Sequence, residues 1–67
     1  MEKIVTVYGS KPNRYRVADV RDWNFGFAVQ QEVREDVYMD ITFGMTKHDA
    51  IYMAMRLVEM TEKEGSK

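Results

Sequence analysis

Cysteine is absent from this 67-residue chain, and histidine, tryptophan and proline each occur once. The missing cysteines exclude a disulfide framework and a thiolate zinc site. The lone histidine, His48, cannot build a metal centre by itself. The four glycines are scattered, so no phosphate-cradling loop is present, and Asp36, Asp40 and Asp49 do not fit the spacing of a calcium loop. No cofactor is implied. No apolar run approaches membrane-spanning length and no signal-peptide pattern opens the sequence, which points to a cytoplasmic protein with no membrane partner.

A large charge of one sign is also lacking. The net charge of −1 gives no bulk attraction to nucleic acid or to an anionic membrane. The halves differ: residues 1–34 hold six basic and four acidic side chains, whereas residues 35–67 hold four and seven. A chain this short buries only about 60% of its unfolded surface, so its stability is marginal without disulfides or metal. A compact ordinary core or a homodimer is what remains. A hydrophobic fraction of 45% with 31% charged residues suits one globular domain spanning residues 1–67.

What is present is, first, a long amphipathic helix from Thr46 to Lys63. Thr46 and Asp49 form a shortened capping box, with the carboxylate at the positive end of the helix dipole. At about 100° per residue, Ala50, Met53, Ala54, Leu57, Val58 and Thr61 share one face, with Ile51 and Met60 at its edges. His48, Tyr52, Arg56, Glu59 and Lys63 lie opposite, Glu59 and Lys63 at a favourable spacing. The methionines on the apolar face are core residues. Met55 lies off that face beside Tyr52 and is the candidate for an exposed contact or a dimer seam. Gly65 fits a C-cap, and residues 64–67 read as a frayed tail.

Ahead of the helix the pattern is that of strands. Lys3 to Tyr8 is β-branched and aromatic, Gly9 to Asn13 is a turn-forming loop, and a second strand runs from Arg14 to about Val20. Closing these as a hairpin sets Val7 against Tyr15 and Val5 against Val17. Ile4, Thr6 and Tyr8 then meet Ala18, Arg16 and Arg14 on a mixed face. After Arg21-Asp22-Trp23-Asn24, alternation places Phe25, Phe27, Val29 and Val33 on one side, interrupted by Gln31. It resumes with Val37, Met39, Ile41 and Phe43. Matching the apolar faces pairs Val33 with Val37, Gln31 with Met39, Val29 with Ile41 and Phe27 with Phe43, and leaves Arg34-Glu35-Asp36 as a three-residue loop with Asp36 left-handed. The predicted fold is α+β: a four-stranded antiparallel sheet of two hairpins, order β-β-β-β-α, with the C-terminal helix on one face.

Catalysis needs a nucleophile, an acid–base pair or a metal in a cleft. His48, near Asp49 and Tyr52, occupies the place of a solvated helix-start histidine, so no enzyme is expected. The face away from the helix gathers aromatic and basic residues, and sheet edges tend to pair with another chain. The sequence therefore predicts a small non-enzymatic protein–protein interaction module, of the inhibitor or accessory kind found in phages and mobile elements. Its expected contact residues are Tyr8, Arg14, Arg16, Trp23 and Tyr38. The alternative is a single-stranded nucleic-acid-binding domain, in which bases stack on the same aromatics and the arginines, with Lys11, meet phosphate.

Overall fold

The computed structural model describes residues 2–65. Four strands, β1 (Lys3–Tyr8), β2 (Tyr15–Asp19), β3 (Phe27–Arg34) and β4 (Val37–Met45), form one antiparallel sheet in the order β1-β2-β3-β4. A single helix, α1 (Lys47–Gly65), follows and folds back over one face. This is the α+β meander that the alternation predicts. The β1–β2 loop contains a cis Lys11–Pro12 peptide, and a 3-10 turn at Arg21–Trp23 joins β2 to β3.

The helix starts where its capping residue dictates. The Thr46 hydroxyl accepts the Asp49 amide at 3.1 Å, satisfying one of the orphan donors of the first turn. Helical structure continues through Gly65, two residues past the expected end at Lys63, while Ser66 and Lys67 lie outside the described residues. The core forms where Ala50 and Ala54 meet Val17 and Val29, all four fully buried, with Tyr15 beside them. Two alanines on the contact face let the helix backbone approach the sheet closely. Full burial of each valine contributes about 1.5–3 kcal/mol relative to exposure. Gln31, the polar interruption in the β3 pattern, lies at the edge of this core. Its amide approaches the Tyr15 hydroxyl at 3.4 Å, which meets the Thr61 hydroxyl at 3.3 Å, and Thr61 donates back to the Leu57 carbonyl at 2.9 Å.

Bulges rearrange both hairpins. In the first, Ile4 pairs with Ala18 as expected, but Thr6 pairs with Val17 and Tyr8 with Tyr15, because one extra residue is accommodated at Val5. That shift turns Tyr8 toward the helix, where it packs on the core, and leaves Val7 exposed on the other face. Tyr8 is therefore not on the open sheet face; a tyrosine ring removes more apolar surface from water there than a valine would. In the second hairpin Gln31 opposes Met39 as predicted, and Asp36 is left-handed at φ 63°. Elsewhere Val29 meets Thr42, Phe27 meets Met45, Arg34 meets Val37, and Val33 is unpaired. Two extra residues in β4 displace the pairs of Val29 and Phe27, whereas the extra residue Val33 in β3 sets Arg34 against Val37 and shortens the expected three-residue loop to Glu35 and Asp36. A left-handed Gly44 at φ 78° and Gly26 at φ 66° permit this path, and a side chain on Gly26 would lie 3.0 Å from the Met45 carbonyl oxygen.

Candidate functional site

The face of the sheet away from α1 is organised about two groups of side chains. At one end, Arg14 and Arg16 project from the β1–β2 loop and β2 toward Tyr38 of β4. The Arg16 guanidinium carbon lies 3.8 Å from the Tyr38 ring centroid and that of Arg14 lies 5.8 Å away. Beneath them Glu32 is wholly buried. Its carboxylate accepts from Arg14 Nε and Nη2, each at 2.8 Å, and from the backbone amides of Arg14 at 3.1 Å and Asp36 at 2.7 Å. One carboxylate thus ties the loop of the first hairpin to the turn of the second. The Arg14 hydrogen bonds hold the Glu32 carboxyl well below the usual carboxylate range, at about 2, against the opposing effect of burial. The same bonds raise the Arg14 guanidinium. Asp36 takes a further bond from Arg14 at 2.8 Å, and Lys11 lies 3.6 Å from both Glu35 and Asp36.

At the other end, the 3-10 turn and the left-handed Asn24 carry Trp23 and Phe25 over a small second cluster of Ala18, Val20 and Ala28. The bulged end of β4 turns Phe43 to this side, away from the Val37–Met39 side on which alternation alone puts it. Phe25 and Phe43 meet edge to face, with centroids 5.3 Å apart and planes at 64°. Together with Trp23 they wall a cleft of about 200 Å3 whose polar side is Glu2, Gln30 and Asp40. Buried Gln30 joins the two ends: its carbonyl oxygen accepts from Arg16 Nε at 2.6 Å, and its amide nitrogen donates to Glu2 at 2.7 Å and Asp40 at 2.8 Å.

Three of the five contact residues expected from sequence, Arg14, Arg16 and Tyr38, thus come together, and Trp23 stands beside the neighbouring cleft. Tyr8 is on the opposite face. Sequence alternation puts Phe25 and Phe43 on the wrong side and gives no role to Glu2, whereas it places Gln30 and Asp40 on the open face without revealing their contacts; the interior glycines 26 and 44 are the local signals that the alternation breaks. On the helix side, α1 packs against β2 and β3 and less against β1, so most of β4 lies beyond it. Met39 is 62% exposed there, and Val33, Val37 and Ile41 are also exposed. The helix-borne Tyr52 and Met55 are exposed, as is His48. Among the described residues no three His, Cys, Asp or Glu side chains converge as a metal site, and no helix is long and apolar enough to cross a membrane. No protein family, curated protein or solved structure matches the chain.

Proposed function

We propose that the chain is a non-enzymatic protein-binding module whose contact surface is the β4 end of the sheet. The observation that carries this reading is the uncovered apolar edge: Val37, Met39 and Ile41 line an edge strand outside the footprint of the helix, with Val33 next to them. Edge strands offer unpaired backbone groups, and apolar side chains left beside them favour contact with another chain. A second copy of the same chain is one partner that fits, and an inhibitor or accessory role of the phage or mobile-element kind, exercised in the cytoplasm, would use such an edge.

Single-stranded nucleic acid draws less support. The donors that would meet phosphate are directed at Glu32, Asp36 and Gln30, and binding phosphate there would break charge-assisted bonds within the fold. The test compares wild-type protein with Ile41→Asp in affinity capture at low and high salt. Ile41 is exposed, so the variant retains the wild-type melting curve. The expected result is a partner that the wild type holds at both salt levels and the variant loses. Identical capture by both proteins would sink the reading, and single-stranded DNA binding that collapses with salt would replace it.

A further inference from the structure

We propose that the cleft walled by Trp23, Phe25 and Phe43 receives an arginine or lysine side chain of the protein partner. The inference rests on the protein-binding reading for the source of that side chain. Three observations supply its chemistry.

The walls are aromatic and accessible, with Trp23 52%, Phe25 50% and Phe43 58% exposed, while the Val20 and Ala28 floor is buried. Aromatic rings present a negative face, and several grouped around one cleft attract cations while the ligand's methylene stem lies along them. The edge-to-face packing of Phe25 on Phe43 holds two of these walls in place before any ligand arrives.

Two carboxylates share the polar side. Both Glu2 and Asp40 accept from the one amide nitrogen of Gln30, which keeps two like charges close together. Only Glu2 has a counter-charge, Arg16 at 3.8 Å. Asp40 has no ion-pair partner among the described residues; its bond is to a neutral amide. The cleft therefore carries uncompensated negative charge next to exposed aromatic rings, the complement of a guanidinium or ammonium head on an apolar stem. A phosphate or carboxylate ligand would meet repulsion at the same place.

Gln30 fixes the position of that charge. It is 6% exposed, and Arg16 holds its carbonyl oxygen, so its amide must point at the two carboxylates. Arg16 in turn is stacked on Tyr38, which leaves Asp40 as the open acceptor of the pair.

The test titrates the full chain with capped arginine amide, capped lysine amide and capped citrulline amide, the last being a neutral analogue of arginine. Trp23 is the only tryptophan, so its fluorescence and indole proton report this cleft alone. Saturable changes in the low-millimolar range are expected with arginine or lysine, together with a shift of the Gln30 side-chain amide. Citrulline should bind at least tenfold more weakly. Asp40→Asn should reduce the arginine response tenfold, and Phe43→Ala, at an exposed position, should do the same without loss of fold. Equal binding of citrulline, no saturable response, or full retention of binding in Asp40→Asn would each overturn the proposal. Failure here with partner capture still sensitive to Ile41→Asp removes only the cation site. Saturable arginine binding with capture indifferent to Ile41→Asp removes only the β4 docking surface.

Discussion

Val29 and Val33 belong to the same alternating apolar set in the sequence, yet their surroundings differ completely: Val29 is fully buried and Val33 is 47% exposed. Replacing each by alanine tests whether that division is correct. At Val29 the lost transfer free energy of two methyl groups is about 1.6 kcal/mol. The residual cavity beneath Ala50 and Ala54 adds about 1 kcal/mol more, giving roughly 2–3 kcal/mol in all. A domain of this length has a total stability of roughly 3–10 kcal/mol, so the loss is a large share of it. The melting temperature should fall by about 10–20 °C. At Val33 the same chemical change should cost no more than about 0.5 kcal/mol. Urea denaturation followed by far-UV circular dichroism measures both at fixed protein concentration. A cost at Val33 equal to that at Val29 and unchanged with protein concentration would refute that division. Repeating the Val33→Ala measurement at higher concentration adds a second reading: a penalty that grows with concentration means that another copy covers this position.

Four further outcomes follow from particular contacts. Glu32 and Asp19 are each held at about 2, Glu32 by Arg14 and Asp19 by Arg21, below their ordinary values of 4.5 and 3.8. Their folded values lie below their unfolded ones, so their stabilisation is complete above the ordinary carboxylate range and fades as pH falls toward 2. Denaturation midpoints measured against pH should drop through that window, and Glu32→Gln should flatten the drop. Thr46→Ala removes the hydroxyl that caps Asp49 and should cost about 1 kcal/mol by chemical denaturation. Gly26→Ala places a side chain 3.0 Å from the Met45 carbonyl oxygen at a positive φ, and a loss of about 1–2 kcal/mol is expected; an unchanged midpoint would mean that this turn is not left-handed. Light scattering across concentration at two salt levels should show salt-independent self-association that Met39→Asp abolishes. A monomer throughout would withdraw the second copy as a partner.

The helix was legible because its signals agree: a capping threonine, an uninterrupted run of good helix formers, and an apolar face whose members Ala50 and Ala54 are buried in the core, with Leu57 and Val58 packed against it. The strand order and the Gln31–Met39 pair were legible because alternation and turn chemistry point the same way. What was not legible is where alternation stops. A bulge needs only one extra residue to exchange the faces of everything beyond it, and at Val5 no glycine or proline marks the place. Tyr8, assigned to the open face, lies on the core for that reason. In β4 the left-handed Gly44 and, across from it, Gly26 are marks of the same event, and they move Phe43 and Phe25 out of the apolar set and into the aromatic cleft. The arginine–tyrosine group was legible as a composition, but its internal ion pairs were not. That Glu32, on the same open-face parity as Arg14, would be buried beneath it depends on the turn geometry around Asp36, which alternation does not encode.

The geometry of a single helix on four strands explains why the uncovered surface lies at β4. Strands about 4.8 Å apart put the outer pair of a four-stranded sheet about 14 Å from each other, whereas a helix with its side chains is about 10 Å across. One outer strand must then lie outside its cover. Here α1 centres on β2 and β3 and reaches β1, so the strand left out is β4. Folding alone would be served by polar or lysine-bearing residues on that strand, the usual protection of an exposed edge. β4 reads Val-Tyr-Met-Asp-Ile-Thr-Phe-Gly-Met, with no basic residue and one acid, Asp40, and that acid lies at the cleft on the other face. An unprotected edge on one face of β4 and an acidic aromatic cleft on the other therefore belong to one strand. A partner strand that paired with this edge would run past the cleft, within reach to insert a basic side chain. The apolar edge would supply most of the affinity, and the cleft would select which chain is accepted.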